Sequence, residues 1–388
     1  MRIRSGFAAP ALFLMALPAF GISAALGAQT NAPDAPKTAI KLTPVAEGLE
    51  NPWGLAFLPD GRYLVTERPG RLRVVGKDGA LGAPISGVPE VFANGQGGLL
   101  DVALAPDYID TGTIFLSFSE PRGGGNSAST SVARGKLVLD GANGKLENVK
   151  VIFQQDPPVE SSGRHFGSRI VVTPEGNLFV TTGDRGTHSD EAQNPASTIG
   201  KIIYMSQDGK PALDAPAGEG WNPLVWSMGH RSVQGATYDA ENGVLWTAEH
   251  GPMGGDELNR TEKGKNYGWP VITYGIDYSG AKVGEGITEK EGLEQPVYYW
   301  KPSIAVSGAL FYTGDLFPDW KGHVLAGSLK HMQVQRLVLE DGDVVAHEVL
   351  ADDLGERVRD LRQGPDGAVY LLTDEGNGRI VKMEPADG

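Results

Sequence analysis

Short polar motifs stand out in this sequence because the tight turns between strands do not require their residue types. Each motif directly precedes or follows a predicted strand. They are HFGSR at residues 165–169, GHR at 229–231, EHGPMGGDELN at 249–259, KNYGWP at 265–270, GSLKHM at 327–332 and GERVRD at 355–360. Because such strand ends reach a shared surface when the units are packed side by side, we expect these motifs to converge on one site.

Cations are the most informative residues of three motifs, in a chain whose formal net charge is −14. They are Arg231, Lys330, Arg357 and Arg359. Arginine presents a planar fork of donors that pairs with carboxylate or phosphate, so the group predicts a multiply anionic ligand. The alternative is that each cation pairs with an acidic residue of the fold.

A metal site is predicted around Gly251 and Pro252, in a segment rich in oxygen donors. Asp256, Glu257 and Asn259 follow closely in the chain. Carbonyl and carboxylate oxygens in a loose arrangement suit a hard cation such as calcium better than a transition metal, and the chain has no Cys. The alternative is an ordinary long turn with solvated acids.

His165 is the candidate general base. An imidazole can take a proton from a hydroxyl group near neutral pH while its second nitrogen is held by a neighbour. Its position in front of a predicted strand favours this role over that of a surface or core histidine. His250 and His331 also lie in the polar motifs and are weaker candidates.

Six similar units must position these residues, beginning at residues 54, 100, 168, 234, 307 and 358. Each has an apolar strand, a short Pro/Asp/Gly turn and a second β-branched or aromatic strand, which is typical of an antiparallel hairpin. Because an isolated hairpin cannot bury its apolar face, repeats of this size stack on their neighbours. We predict an all-β fold, a six-bladed β-propeller of four-stranded antiparallel blades, with function at one mouth of its channel. A two-sheet sandwich or a parallel β-helix is the alternative.

The composition agrees with a turn-rich fold and argues against one class of partner. Glycine accounts for 54 of the 388 residues, as expected where tight turns are frequent. A surface that binds nucleic acid needs a basic field, which the negative net charge does not supply. We therefore expect no nucleic-acid partner.

The first residues have the pattern of a secretory signal peptide. Arg2 and Arg4 precede an apolar run at residues 7–26, and small residues follow around Ala28. We predict a signal peptide at 1–28, removed near Ala28. A membrane anchor is the alternative, but Pro and Gly interrupt the run and it is short for a span.

The rest of the chain is predicted to be a secreted protein with one domain. A flexible linker is expected at residues 29–40, which are rich in Ala, Pro and Thr, and a single propeller domain at 41–388. The absence of Cys excludes a lipoprotein anchor and disulfides. We expect the bacterial periplasm as its compartment, with no membrane span in the mature protein.

The motifs together resemble a known family, the soluble pyrroloquinoline quinone (PQQ) dependent sugar dehydrogenases of the glucose/sorbosone dehydrogenase type. Within that family the chain is most similar to the periplasmic aldose sugar dehydrogenases. The resemblance covers residues 45–383. Its most specific segments are ENPWGLAFLPDG, GQGGLLDVAL, HFGSR, GHR followed by QG, EHGP followed by GDELN, KNYGWP and GERVRD, in the family's order.

The resemblance implies an enzyme that oxidises an aldose sugar at C1 to the lactone and passes the electrons to an external acceptor. His165 matches the family's base, which deprotonates the anomeric hydroxyl while C1 delivers hydride to C5 of PQQ. Gln96 matches a glutamine beside cofactor and substrate. The four cations named above, Arg231, Lys330, Arg357 and Arg359, match residues that pair with the three carboxylates and the quinone oxygens of PQQ.

Two calcium sites are also implied by the resemblance. The carbonyls of Gly251 and Pro252 match those that hold the calcium bridging the protein to PQQ. Glu257 and the backbone of Tyr267 match a second, structural calcium site. PQQ and Ca²⁺ are therefore the expected cofactors.

Some positions depart from the better-known soluble glucose dehydrogenases. Ser232 follows Arg231 where Asn is common, and Arg164 precedes His165 where the glucose enzyme has Asp. The resemblance therefore implies neither the cofactor hydrogen bond that Asn would make at position 232 nor the substrate contacts that Asp would make at position 164. Shorter loops favour the aldose branch, with broad sugar acceptance, and we expect a monomer.

Two other functions fit the same fold. A calcium-dependent lactonase-type hydrolase would use side-chain carboxylates and Asn as metal ligands and would not need four cations. A non-catalytic binding propeller would lose the polar cluster. Because His165, Gln96, Lys330, Arg357 and Arg359 are all present, the dehydrogenase is favoured.

Overall fold

The chain forms a closed ring of six antiparallel sheets in this computed structural model, which describes residues 28–124, 126–212 and 216–386. The predicted all-β six-bladed propeller is confirmed. Residues 1–27 of the predicted signal peptide lie outside the described residues. Within the described ranges, no helix is long and apolar enough to cross a membrane.

The strands follow one another blade by blade. β1 spans Ile40–Leu49. Blade 1 has β2 (Pro52–Phe57), β3 (Tyr63–Glu67) and β4 (Arg71–Val75). Blade 2 has β5 (Leu99–Leu104), β6 (Thr113–Pro121), β7 (Ala128–Asp140) and β8 (Asn143–Gln154). Blade 3 has β9 (Gly167–Val172), β10 (Leu178–Thr182), β11 (Lys201–Met205) and β12 (Val225–Met228).

The other three blades complete the ring. Blade 4 has β13 (Val233–Asp239), β14 (Val244–Glu249), β15 (Asp256–Thr261) and β16 (Tyr298–Trp300). Blade 5 has β17 (Val306–Phe311), β18 (Val324–Ser328), β19 (Gln333–Glu340) and β20 (Asp343–Leu350). Blade 6 has β21 (Val358–Gln363), β22 (Val369–Thr373) and β23 (Gly378–Pro385), with β1 as its outer strand. The described helices are α1 (Tyr108–Thr111) and two 3₁₀ turns, Ser189–Gln193 and Pro318–Trp320.

The N-terminal strand closes the ring on the C-terminal one. β1 pairs antiparallel with β23, from Ile40 opposite Pro385 to Leu49 opposite Gly378. The last blade is therefore built from both ends of the domain, which leaves no open blade edge at the junction. The core lies between neighbouring blades: Leu64 and Leu116 are buried between blades 1 and 2, and Leu325 and Leu371 between blades 5 and 6.

Blade 1 departs from the prediction of four-stranded blades, because it has three strands and one isolated bridge, Val75 to Leu81, where an outer strand would lie. The segment after this bridge contains Pro84 and Pro89. Proline has no N–H to donate to a ladder, so this stretch does not extend into a fourth strand. The other blades have four strands each.

Residues 29–40, expected to be a flexible linker, lie along the outer edges of blades 4 and 5. Tyr299 N donates to Gln29 O at 2.9 Å, Ala35 N donates to His347 O at 2.7 Å, and His347 N donates to Pro33 O at 2.9 Å. Outer strands β16 and β20 offer unpaired backbone groups, which this segment satisfies. The difference arises because edge pairing does not depend on side-chain type and so leaves no sequence signal.

The first strand of each blade is its inner strand, next to the central channel. The third residues of these six strands lie close together in the middle of the channel. These residues are Gly54, Asp101, Arg169, Gly235, Gly308 and Asp360. The buried Arg169 guanidinium lies 3.0 Å from Asp101 and 3.1 Å from Asp360, which come from blades 2 and 6. A Cβ on Gly54 would lie 2.7 Å from an Asp101 carboxylate oxygen, so glycine is needed there. Arg169 thus joins blades 2, 3 and 6 by two ion pairs, which lie below one mouth of the channel.

Candidate active site

The predicted motifs meet at that mouth. The inner strands β9, β13 and β21 begin there, and the second strands β3, β10, β14 and β22 end there, because the two strands of each hairpin are antiparallel. A cleft of about 280 Å³ opens at this end of the channel. Residues lining it include His165, Asp184, Arg231, Pro252, Trp269 and Tyr278. The structure thus brings the candidate base, a cation and the candidate calcium loop together.

His165 is held in place by Asp184, which lies just after β10. The His165 Nδ1 lies 2.6 Å from Asp184 Oδ1. The second carboxylate oxygen accepts the Trp269 indole N–H at 2.8 Å, and Gly186 N donates to Oδ1 at 2.7 Å. A carboxylate at Nδ1 favours the tautomer that donates from Nδ1, so Nε2 is left as the proton acceptor.

The surroundings of His165 keep its ring neutral. Burial lowers the pKa of His165, and the hydrogen bond with Asp184 opposes this shift without cancelling it. The positive charge of Arg231 lowers the pKa further. Burial raises the pKa of Asp184, but its hydrogen bond with His165 and the Arg231 charge bring that pKa below its ordinary value. At neutral pH the pair is a neutral imidazole and a carboxylate, as general-base chemistry requires.

Gln96 contacts the backbone of the candidate base. His165 has a left-handed backbone with φ of 52°, an unusual conformation for a non-glycine residue. Its N–H donates to Gln96 Oε1 at 2.8 Å. The Gln96 N–H in turn donates to Gly163 O at 2.7 Å, so the two loops bind each other. Gln96 therefore lies beside His165, and its contact with cofactor and substrate stays a prediction.

Three arginines surround one carboxylate on the same mouth. Arg359 contacts Asp374 at 2.5 Å, and Arg357 and Arg68 each lie 3.7 Å from the same carboxylate. Although burial raises the pKa of Asp374, the positive charges, that of Arg359 above all, lower it to about 2. One negative charge thus faces three positive ones, and the excess charge attracts an anion.

Several polar atoms of these cations are buried without a partner. Within the described residues, Nε of Arg68, Arg231 and Arg359 is buried and has no hydrogen bond, and the same holds for His250 Nε2. Buried donors are normally paired, and unpaired ones in a cluster of like charge indicate that a ligand completes the site. The cluster fits a ligand with several carboxylates, such as PQQ.

The remaining candidate cations lie around this cluster. Arg231 Nη1 donates to His250 O at 3.1 Å, and its guanidinium lies 5.3 Å from the centre of the Trp269 ring. Lys330 is exposed and adjoins Leu329, whose carbonyl accepts from Arg357 Nη1 at 3.3 Å. The structure therefore places all four predicted cations at one mouth, and their role in binding stays a prediction.

The two weaker histidine candidates lie in different settings. Burial lowers the pKa of His250 well below its ordinary value, and the charges of Arg231 and Arg359 add to this shift. His331 is exposed, and its backbone N–H donates to Ser328 Oγ at 2.9 Å. Among the described residues neither contacts an acid as His165 does, so His165 stays the stronger candidate base.

A pair of acids, Glu249 and Glu257, adjoins a small cavity lined also by Gly251 and Tyr267. Burial and the Glu249 charge raise the pKa of Glu257 well above its ordinary value. Asn259 Oδ1 is buried there without a partner in the described part of the chain. Like charges close together, with a spare amide oxygen, favour a bound cation, and these all-oxygen donors fit calcium.

Other features limit the metal prediction. No group of three or more His, Cys, Asp and Glu side chains suited to a metal occurs within residues 28–124, 126–212 and 216–386. Asp256, expected among the oxygen donors, is instead used by the fold: it accepts from Ser303 Oγ, Val306 N and Gly251 N. Glu249 also accepts from Arg231 N and Asn259 Nδ2, so a cation here would depend on Glu257 and backbone carbonyls. Pro252 lines the cleft beside His165.

The profile of the Glucose / Sorbosone dehydrogenase family matches residues 49–382, which include all of these site residues. The chain belongs to this family. The aldose sugar dehydrogenase YliI of Escherichia coli K12 is 42% identical over 355 residues, which are 90% of this chain and 94% of that protein. Both the proposed base and the cation cluster thus lie within the matched residues.

Solved structures of aldose sugar dehydrogenases share the fold. The apo form of the soluble enzyme from Escherichia coli has a TM-score of 0.84 at 41% identity, covering 89% of this chain and 100% of that one. The PQQ-bound form of the enzyme from Streptomyces coelicolor has a TM-score of 0.71 at 28% identity, covering 90% and 99%. The resemblance to the glucose/sorbosone dehydrogenase family is confirmed.

In this glucose/sorbosone dehydrogenase, the two departing positions have distinct surroundings. Ser232 Oγ is buried and has no hydrogen-bond partner in the described residues, so it is available to a ligand or water. Arg164 is exposed and lines the cleft near His165. Position 164 therefore presents a positive charge to whatever enters the cleft.

Sequence reasoning missed Asp184 and Arg68. Asp184 ends the TTGD segment after β10, and Arg68 ends the TER segment, directly after β3. The available signal was positional: Glu249 and Asp374 occupy similar places just at or after the second strands β14 and β22. Comparing the ends of second strands across blades would have identified both residues.

Proposed function

We propose that the protein is a PQQ- and calcium-dependent aldose sugar dehydrogenase that oxidises the sugar at C1 to the lactone. The observation that carries this proposal is the juxtaposition, on one channel mouth, of a neutral His165 bound to Asp184 and a cluster of arginines with excess positive charge. The relationship to aldose sugar dehydrogenases supports it.

His165 acts as the base. Its Nε2 takes the proton of the anomeric hydroxyl, and the imidazolium that forms is stabilised by Asp184 at Nδ1. PQQ, when bound, supplies the acceptor for the hydride that leaves C1. Trp269 fixes the second oxygen of Asp184, so that the carboxylate keeps its orientation during the proton transfer.

The cations hold the cofactor. Arg231, Lys330, Arg357 and Arg359 would pair with the carboxylates and quinone oxygens of PQQ, and positive charge near those oxygens favours the charge that develops on them. Arg68, beside Asp374, adds to the same field. The unpaired buried Nε atoms support this assignment.

Calcium would be bound at two places. The carbonyls of Gly251 and Pro252 would hold the ion that adjoins PQQ. Glu257 and the Tyr267 backbone, with Glu249 nearby, would hold a structural ion that neutralises the acid pair. At the first place an ion would help to orient the cofactor, and at the second it would stabilise the loops of blade 4.

The cellular setting is part of the proposal. A signal peptide at 1–28 would direct the protein to the periplasm, and 41–388 would form the propeller domain. Electrons would leave to an external acceptor, a quinone or a redox protein, and the enzyme would work as a monomer. We propose residues 29–40 as an attached arm of the mature protein, because they pair with blades 4 and 5.

The test is reduction of a redox dye by the purified protein with a panel of aldoses, before and after adding PQQ and Ca²⁺, with a chelator control. We expect activity only with both additions, and loss of activity but retained PQQ binding in His165→Ala. No PQQ-induced absorbance change and no dye reduction would refute the dehydrogenase. Calcium-dependent hydrolysis of lactones by the same sample would then indicate a hydrolase. The absence of both dye reduction and lactone hydrolysis would indicate a binding propeller.

A further inference from the structure

Arg185 is a buried cation that the proposed reaction does not use. It is fully shielded from solvent, at 0% exposure. Its three guanidinium nitrogens donate to backbone carbonyls: Nη1 to Ala128 O at 2.7 Å, Nη2 to Ser162 O at 2.5 Å and Nε to Arg164 O at 3.0 Å. The guanidinium also stacks on the Phe166 ring at 3.7 Å from its centre. Every contact except that with Ala128 is to the five-residue segment that contains the candidate base.

The segment around Arg185 binds the His165 segment in both directions. Ser162 Oγ donates to the backbone carbonyl of Arg185, while Arg185 donates to Ser162 O. Both Arg185 and His165 have left-handed backbones, with φ of 59° and 52°. Such conformations persist in non-glycine residues only when neighbouring contacts hold them.

Asp184 and Arg185 therefore position different parts of His165. Asp184 binds the imidazole at Nδ1, and Arg185 binds the carbonyl of the residue directly before His165. Gln96 holds the His165 N–H, so Arg185 adds a second backbone contact on the N-terminal side of the base. With these contacts, Nε2 is fixed in the cleft with respect to the loop and the blade.

We propose that Arg185 is a positioning residue that holds the strained backbone of His165 in register with Asp184. This inference rests on the proposed function, in which His165 is the base. Lysine cannot replace arginine here, because an ammonium lacks the planar fork that reaches three carbonyls in different directions and stacks on an aromatic ring. The charge is retained in Arg185→Lys, so that variant separates geometry from electrostatics.

The test compares Arg185→Lys with Arg336→Lys. Arg336 is a matched control because it is also buried, contacts Glu348 at 2.7 Å and lies 5.6 Å from the Trp320 ring, in blade 5. We expect Arg185→Lys to lower kcat roughly 10- to 100-fold, as misplacement of a catalytic group does, with KM and PQQ affinity within about twofold of wild type. Arg336→Lys should lower the melting temperature without this loss of kcat.

A second readout needs neither cofactor nor turnover. The Nδ1 proton shared by His165 and Asp184 should give a downfield proton NMR resonance in the unloaded protein, identified by its absence in His165→Ala. We expect Arg185→Lys to shift or broaden it and Arg336→Lys to leave it unchanged. Ser162→Ala, which removes only the hydroxyl that binds Arg185 O, should lower kcat by a smaller factor, about threefold to tenfold.

The outcomes separate this inference from the proposed function. If the wild type neither binds PQQ nor oxidises sugars, the proposed function fails, while the NMR comparison still decides whether Arg185 positions His165. If the wild type is active and both Arg185→Lys and Ser162→Ala retain its kcat and its resonance, Arg185 is not a positioning residue. If Arg185→Lys does not fold, Ser162→Ala decides by the same two readouts.

Discussion

Asp184→Asn is the sharpest test of the proposed base, because Asp184 accepts from three donors. His165 Nδ1 and Gly186 N approach Oδ1, and the Trp269 indole N–H approaches Oδ2. An asparagine has one oxygen, and its amide nitrogen only donates. Whichever way the amide turns, either Trp269 or the pair His165 and Gly186 loses its acceptor. If the nitrogen faces His165, the ring takes the tautomer with a proton on Nε2 and cannot act as a base.

The magnitude follows from what Asp184 does in the reaction. The 2.6 Å contact is buried and involves an ionised acceptor, so it strengthens when His165 becomes an imidazolium. A correctly placed general base contributes about 10²- to 10⁴-fold to a rate, and we expect kcat to fall within that range. Asp277→Asn is the matched control, because Asp277 lines the same cleft but bonds to Ser279 instead of His165.

The pH profile gives the direction of a second effect. His165 must be neutral to accept a proton, so activity falls on the acid side as His165 becomes protonated. Burial already lowers its pKa, and Asp184 opposes that shift. Without the carboxylate the pKa falls further, so the acid limb of kcat should move to lower pH in Asp184→Asn.

The assay is kcat for dye reduction between pH 4.5 and 8 with PQQ-loaded protein, with PQQ affinity measured separately by absorbance. We expect Asp184→Asn to bind PQQ like the wild type. An unchanged kcat, or an acid limb that moves to higher pH, would refute the assignment of His165 and Asp184 as base and orienting group. If Asp277→Asn lowers kcat equally, the loss follows from removing any carboxylate of the cleft, and the result would not assign a special role to Asp184.

Two further predictions concern the cation cluster and the acid pair. Arg68→Gln should raise the PQQ concentration for half-maximal absorbance change roughly threefold to tenfold. Arg62→Gln, at the other end of blade 1, is the control. Equal PQQ affinities of the wild type and Arg68→Gln would exclude Arg68 from the anion site. In calcium-free protein, the pKa of Glu257 is raised, so the folded state holds this proton more tightly than the unfolded state does. The contribution of Glu257 to the free energy of unfolding is therefore present at low pH and is lost as pH rises through the folded pKa. Glu257→Gln should abolish both this loss and the rise in melting temperature caused by calcium, and a melting temperature that still rises with calcium would place the ion elsewhere.

The hairpins could be predicted from sequence because their turns depend on local chemistry. In the first hairpin, Asp60 Oδ1 accepts from Arg62 N and Gly61 has φ of 86°, so two side-chain types specify the turn. In the last one Asp366 and Gly367 do the same. The connection varies in other units, since the second contains α1 and the fifth a 3₁₀ turn, but the number of such strand–turn–strand units still predicts the number of blades. The attachment of residues 29–40 depends instead on backbone pairing with β16 and β20 and on single side-chain bonds such as that of His347 Nδ1 to Ala32 O, which give no repeated sequence pattern.

The candidate site divides in a similar way. His165 and the predicted arginines are unusual residue types at strand ends, so the sequence identified them. Asp184 and Arg68 have ordinary types for a β-rich surface, and only their partners give them a role. Arg185 is the extreme case, because its importance lies in three carbonyls and one ring that are far from it in sequence. Residue type predicts which groups can do chemistry, whereas their orientation depends on contacts that only the fold brings together.

The charge of Arg231 links the pKa of His165 to the binding of an anion at the same mouth. The Arg231 charge lowers the pKa of His165, so an anion that binds beside Arg231 and offsets this charge must raise that pKa. By thermodynamic reciprocity, protonation of His165 must then strengthen the binding of the anion. A trianionic cofactor would therefore leave His165 a stronger base than it is in the empty protein. In the proposed enzyme, cofactor binding would thus raise the proton affinity of His165.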